Sequence, residues 1–222
     1  MSTPWRTGLA VLLFCAVVAA AAWLVFFSPV LGVRQVAVSG NHNLSAEAVR
    51  QAAAVPPRQP LAAVDVEGVR QRVAALRQVE AAAVERVWPS TLRIKVDERE
   101  PLAAVPVPGG AAVVDRHAVV IETREATPVG LPVLRVGRFG ADDPATMAAL
   151  AVVRGLPWEL SRRVQEVRAT TGRDVSLRLA DGRTIMWGDA GRTRDKARVA
   201  LALLQRPGDA YDVSTPDVVT VK

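Results

Sequence analysis

Four consecutive ionisable residues, Asp97-Glu98-Arg99-Glu100, are the first place to look for chemistry in this chain. Clustered carboxylates are what glycosidases use, with two carboxyl groups roughly 5–9 Å apart converging on one bond. The residues leading into the run alternate: Leu92, Ile94 and Val96 point one way, Thr91, Arg93, Lys95 and Asp97 the other. That is the period of a half-buried strand. On such a strand Asp97 and Glu98 fall on opposite faces, so the run does not supply a converging pair by itself. With Arg99 interleaved, the reading is local ion pairing on a solvated edge, worth about 0–1 kcal/mol per exposed pair.

Other reactive residue types are sparse. The chain has two histidines, His42 and His117, and one cysteine, Cys15. Both histidines lie beside expected turns and read as polar surface. With no cysteine outside the apolar N-terminal stretch, a zinc site of the usual spacing is excluded, as is an internal disulfide. No G-x-S-x-G elbow, P-loop or G-x-G-x-x-G fingerprint is present. Gly137-Arg138-Phe139-Gly140 is too short and leads into no suitable helix. The expectation is therefore no catalytic residue, no metal and no cofactor.

The elements that would have to position any site start with an apolar run. Leu9 to Phe27 is nineteen residues without a charge. At about 1.5 Å per helical residue it spans the ~30 Å core of a bilayer. Trp5 lies at one edge and Trp23, Phe26 and Phe27 at the other, where aromatic belts sit. A cleaved signal peptide is the rival, with Arg6 as its basic region and Ala20 and Ala22 at the cleavage site. The apolar run continues past that site through Trp23-Leu24-Val25-Phe26-Phe27, which favours an uncleaved single-pass anchor. Residues 1–8 read as a short cytoplasmic tail and 9–30 as the transmembrane helix, leaving the rest outside. The formal net charge of +6 suits an anionic membrane or cell-wall polymer. Arginines are scattered without aromatic interleaving, so no nucleic-acid partner is expected.

The pattern beyond Pro29 is α+β. Val33–Val38 alternates as a strand, and Ser45 is an N-cap for a helix to about Ala54, ended by Pro56-Pro57. Asp65 caps a second helix with Val66, Val69, Val73 and Leu76 on one face. Val79–Val87 is a strand with Ala82, Val84 and Trp88 on one side. Pro89-Ser90 turns the chain into the strand described above. Strand, helix, helix, strand, strand makes one sheet face covered by two helices. Beyond Ala103 the texture is mostly β. Val105–Asp115 reads as strand, turn, strand, with short strands at Val119–Ile121 and Val133-Leu134. Asp143-Pro144 starts a helix to about Arg154. Strands at Val164–Arg168, Val175–Leu179 and Arg183–Trp187 follow, the last two joined by Asp181-Gly182. A final helix begins near Asp189 or Gly191 and runs to Gln205, burying Ala197, Leu201 and Leu204. Tyr211–Val221 is extended, with Pro216 placing it at a sheet edge.

These residues together resemble a family. Val33-Arg34-Gln35-Val36-Ala37-Val38-Ser39-Gly40-Asn41 follows the anchor. Then come Val79, Ala82, Val84, Arg86, Trp88, Pro89, Thr91, Leu92, Ile94, Val96, Glu98, Arg99, Pro101 and Ala103 in a spaced run. This is similar to the FtsQ/DivIB bacterial cell-division family. Met186-Trp187-Gly188-Asp189, Lys196 and Tyr211-Asp212-Val213-Ser214 with Pro216 resemble its actinobacterial branch. The resemblance implies a membrane anchor, a small POTRA domain over 31–100 and a β-rich domain with two helices over 101–222. It implies a non-enzymatic divisome scaffold at the septum. The partners implied are FtsB-like and FtsL-like membrane proteins and, through them, the septal peptidoglycan synthase pair. The partner-binding strand it implies is Val213, Ser214, Thr215, Pro216, Asp217, Val218, Val219, Thr220 and Val221. Two alternatives compete: a POTRA-type chaperone or transport module, disfavoured because no barrel strands follow, and a secreted cell-wall hydrolase.

Overall fold

The computed structural model describes residues 4–27, 31–215 and 220–221. The uncharged N-terminal run forms helix α1 (Pro4–Phe27), 24 residues long. Side chains of α1 are described at Trp5, residues 8–20 and Trp23, and these are exposed. Among the described residues no helix is long and apolar enough to cross a membrane. The described side chains cover only part of the uncharged Leu9–Phe27 run.

The chain divides into two compact units, Met1–Glu98 and Arg99–Lys222. In the first, β1 (Gln35–Ser39) leads to α2 (Ala46–Ala53), whose N-cap Ser45 accepts from the Ala48 N–H at 3.1 Å. Helix α2 ends one residue on, at Ala54. There φ is 48° and the N–H reaches back to the carbonyls of Arg50 and Gln51. A left-handed alanine, rather than the Pro56-Pro57 pair beyond it, therefore stops the helix. A 3-10 turn at Leu61–Ala63 follows; three residues are too few to show any period. Asp65 caps α3 (Val66–Ala74) by accepting from the Gly68 N–H at 3.0 Å.

Strands β2 (Val79–Val87) and β3 (Thr91–Glu98) complete a sheet in the order β1-β3-β2, with β1 parallel and β2 antiparallel to β3. Leu92, Ile94 and Val96 are fully buried beneath Val49, Val69 and Val73 of the two helices. Alternation in β3 thus placed its side chains correctly. Trp88 departs from expectation: it is 52% exposed and belongs to the turn rather than the apolar face of β2.

The second unit opens with the meander β4 (Ala103–Val107), β5 (Gly110–Val114) and β6 (Val120–Arg124), followed by β7 (Val133–Val136). Helix α4 (Pro144–Gly155) has Asp143 as its N-cap and proline at its first position, and the four-residue helix α5 (Trp158–Ser161) follows. Then come β8 (Val164–Thr171), β9 (Asp174–Leu179), β10 (Thr184–Gly188), α6 (Thr193–Leu203), β11 (Ala210–Asp212) and β12 (Thr220–Val221). Among the described residues nine strands form one sheet, ordered β12-β11-β10-β9-β8-β7-β4-β5-β6. Leu134, Val167, Leu177, Ile185 and Trp187 pack on α4 and α6 through Leu150, Ala200 and Leu203. Fold class is therefore α+β, a small βααββ unit and a β-rich unit with two principal helices.

Two expectations for the second unit change. Helix α6 starts later than expected, after Arg192 in a left-handed conformation with φ 51°. Its buried side is Lys196, Ala197, Ala200 and Leu203, while Leu201 is only half-buried. The tail is not one extended strand either. Strand β11 pairs parallel to β10, and β12 returns antiparallel on β11, with Tyr211 opposite Val221 and Asp212 opposite Thr220.

Candidate functional site

The carboxylate run resolves into two separate anchoring contacts. Glu98, last residue of β3, accepts from the backbone N–H groups of His42 (2.6 Å), Asn43 (2.9 Å) and Leu44 (2.8 Å). Partial burial pushes its carboxyl up, but those three donors outweigh the effect and hold it below the usual range. Arg99 donates to Asp115 at 2.6 Å, and the Asp115 side chain is 1% exposed. Asp115 also accepts from His117 N–H (2.9 Å) and Val119 N–H (2.8 Å). Burial would raise its pKa; the Val119 donor, the Arg99 guanidinium and the His117 donor bring it below normal. The expected solvated pairing among neighbours in the run is thus overturned. Two of its four charges are used at long range: Glu98 on a loop 54–56 residues back and Arg99 on a residue 16 ahead. No group of three or more His, Cys, Asp or Glu suited to a metal occurs among the described residues.

Other residues of the spaced signature are also structural. Arg86 donates to the Leu61 carbonyl at 2.9 Å and to the Val64 carbonyl at 2.7 Å, fastening the 3-10 turn to β2. The Trp88-Pro89 peptide is cis. Sequence patterning missed the Glu98, Arg99 and Arg86 contacts because side-chain reach across an unpaired turn leaves no periodic trace.

The sheet's C-terminal edge is the remaining candidate. Strand β10 ends at Gly188 with φ 76°, and a Cβ there would lie 2.9 Å from the Ser214 Cβ. Glycine is needed both for that backbone conformation and for the close approach of the tail. Lys196, 2% exposed, donates to the Asp189 carbonyl (2.9 Å) and its carboxylate (2.8 Å), tying α6 to the loop after β10. This contact, led by the hydrogen bond from Lys196, lowers the Asp189 pKa. The buried Tyr211 hydroxyl lies 2.7 Å from the Arg206 carbonyl and 2.9 Å from that of Gly208, donating to one at a time.

The expected partner strand is split by these contacts. Val213 is fully buried and its N–H bonds the Met186 carbonyl at 2.9 Å, so its side chain belongs to the core. Ser214 and Thr215 are exposed, and the Ser214 N–H is held by the Asp212 carboxylate at 2.9 Å. Pro216, Asp217, Val218 and Val219 lie outside the described residues. Thr220 and Val221 form β12, the last strand of the sheet.

Comparison with known proteins agrees with the signature. Residues 31–99 match the POTRA domain of FtsQ type, and residues 103–218 match the C-terminal domain of cell division protein FtsQ/DivIB. The chain is 42% identical over its whole length to cell division protein FtsQ of Mycolicibacterium smegmatis, covering 68% of that protein. It is 39% identical over 89% of its length to FtsQ of Mycobacterium tuberculosis, covering 62% of it. With FtsQ of Streptomyces bingchenggensis the figures are 38% identity, 90% of this chain and 79% of the relative. A solved structure, the major extracytoplasmic domain of DivIB from Geobacillus stearothermophilus, aligns with 56% of the chain and 99% of itself at TM-score 0.39 and 18% identity. Two adjoining family domains that together run from residue 31 to 218, and relatives at about two-fifths identity across the chain, lead to one conclusion: the chain belongs to the FtsQ/DivIB family of cell-division proteins.

Proposed function

We propose that the chain is a non-enzymatic, single-pass membrane scaffold of the divisome, acting at the septum. Residues 1–8 are a cytoplasmic tail, 9–30 the membrane helix, 31–100 the POTRA domain and 101–222 the β domain, outside the membrane. FtsB-like and FtsL-like partners dock at the C-terminal edge, in the stretch Val213–Val221, and through it influence the septal peptidoglycan synthase pair.

The observation that carries the docking reading is the position of β12 at one end of the nine-stranded sheet. An edge strand presents an unpaired row of backbone groups to which a partner strand can add. The groups that hold the edge in place, Gly188, Lys196 and Tyr211, belong to the same structure and need no chemistry of their own. The scaffold reading also accounts for Glu98 and Asp115, whose carboxylates are already engaged by backbone donors and Arg99. In a wall hydrolase one of them would face substrate.

Co-purification of the full chain with FtsB-like and FtsL-like proteins is the test. Val218→Asp, Val219→Asp and Thr220→Pro should each weaken recovery of the partners without unfolding the chain; undiminished recovery refutes docking at this edge. A fluorescent fusion should form midcell rings in dividing cells, and a uniform envelope signal contradicts the septal reading. Peptidoglycan clearing by the purified protein, abolished by Glu98→Gln, would establish the hydrolase instead.

A further inference from the structure

The opposite end of the sheet carries a second free edge, strand β6. Its sequence is Val120-Ile121-Glu122-Thr123-Arg124, and among the described residues it pairs only with β5. The direction of its backbone groups follows from its neighbours. The Val114 carbonyl accepts from Leu102, on the β4 side. Backbone groups of successive strand residues alternate, so Ala112 also faces β4, whereas Ala111 and Val113 face β6. The register pairs Ala111 with Arg124, Ala112 with Thr123 and Val113 with Glu122. Glu122 and Arg124 therefore bond inward to β5, in keeping with the Arg124 carbonyl aimed at Gly110. Thr123 directs its N–H and C=O outward.

This arrangement is self-complementary. We propose that β6 pairs antiparallel with β6 of a second copy of the chain, about a two-fold axis at Thr123. The two Thr123 residues then exchange both N–H···O bonds. Glu122 of each copy lies opposite Arg124 of the other, in the closer, non-hydrogen-bonded pair of an antiparallel ladder.

Glu122 and Arg124 sit on one face, already in contact at 2.6 Å with side chains 39% and 56% exposed. Pairing converts that single contact into an alternating row of four charges. An isologous interface needs a patch complementary to itself, and Glu-x-Arg centred on an outward-facing residue meets that condition. A parallel pairing, or one centred a residue away, would not oppose the two charges. A lone charge on an edge strand repels its own copy; here the copy neutralises it. Five residues bury far less than the ~1,200 Å² of a standard interface, so the contact is weak and forms at high local concentration. It uses the edge farthest in strand order from β12 and does not depend on what docks there.

The test is cross-linking of the full chain in detergent, in a Cys15→Ser background. Thr123→Cys places two thiols within disulfide range across the two-fold axis. Oxidation should give a dimer band at least fivefold stronger than that from Val129→Cys, a fully exposed control in the following loop. Adding Glu122→Arg or Arg124→Glu alone should cut the Thr123→Cys dimer at least fivefold. Combining the two swaps the charges and should restore it to within twofold. The proposal is overturned if Thr123→Cys cross-links no better than the control. It is also overturned if the double swap stays as low as the single variants.

Discussion

Glu98 shows how one carboxylate can look catalytic and be structural. Its three backbone donors belong to the 42–44 turn between β1 and α2, which would otherwise present unpaired N–H groups beside the sheet. Glu98→Gln keeps the shape and one acceptor oxygen but loses the charge. Because the side chain is partly exposed, screening limits the loss to about 1–2 kcal/mol of unfolding free energy. The folded pKa lies below the unfolded value of about 4.3. The stabilisation is therefore complete above that value and drains away as pH falls through the folded pKa. Denaturant unfolding at pH 7 and pH 3 should show the wild-type chain losing more stability on acidification than Glu98→Gln. Equal losses would mean the turn is held by something else.

Asp115 is the harsher case, since its side chain is nearly inaccessible. Asp115→Ala leaves Arg99 17% exposed without its partner, and two backbone donors without an acceptor. Removing one partner of a buried pair costs about 3–5 kcal/mol, measurable in the same denaturation. Neither contact was legible in the sequence. The run Asp97–Glu100 reads as charge among neighbours, and only the fold brings Leu44 or Asp115 to it.

At the scale of elements, legibility followed locality. Ser45, Asp65 and Asp143 were readable as caps because a cap and the backbone N–H that donates to it are three residues apart. Leu92, Ile94 and Val96 were readable because alternation is local. The parallel pairings of β7 with β8 and of β10 with β11 were not, since each joins segments separated by a helix. At helix α6 the spacing placed Ala197 and Leu204 inside as expected, but Leu201 is only half-buried and the buried side includes Lys196, whose ammonium reaches Asp189 from a buried stem. That contact sets a prediction about how α6 is held. Asp189 is 58% exposed, so water can take over its charge when the lysine is removed. Lys196→Met fills the same space and should cost under about 1.5 kcal/mol. Lys196→Ala opens a cavity and should cost about 2–3 kcal/mol. Thermal unfolding of both variants distinguishes the cases; equal losses would assign the role to the charge rather than the packing. Gly188→Ala acts on the neighbouring strand end. Left-handed backbone costs a residue with Cβ about 1–2 kcal/mol, and the contact with Ser214 adds to it. The tail should shift, lowering partner recovery more than overall stability.

At the scale of the whole molecule, everything proposed for the two folded units presumes that α1 holds them at a membrane. The sequence makes that case through Leu9–Phe27, which carries no charge over nineteen residues. On an insertion scale Leu, Ile, Phe and Val each contribute about −0.3 to −0.6 kcal/mol at mid-helix, and an arginine opposes with about +2.5 to +3.5. The run holds eleven Leu, Val and Phe residues, with alanines filling most of the rest, so its summed preference is a few kcal/mol in favour of the bilayer. Two arginines at the centre add about 5–7 kcal/mol and reverse the sign. Val17→Arg/Val18→Arg should therefore move the chain from the alkali-resistant membrane fraction to the soluble one, with the two folded units intact by circular dichroism. A single Trp5→Ala at the helix start should leave it in the membrane, because an interfacial aromatic positions a span without supplying its insertion energy. Retention of the double-arginine chain after alkaline washing would mean that another apolar surface holds it in the membrane. Retention at neutral pH that high salt releases would instead point to charge attraction, which is screened within about 10 Å at 0.1 M salt, whereas an inserted helix is indifferent to it.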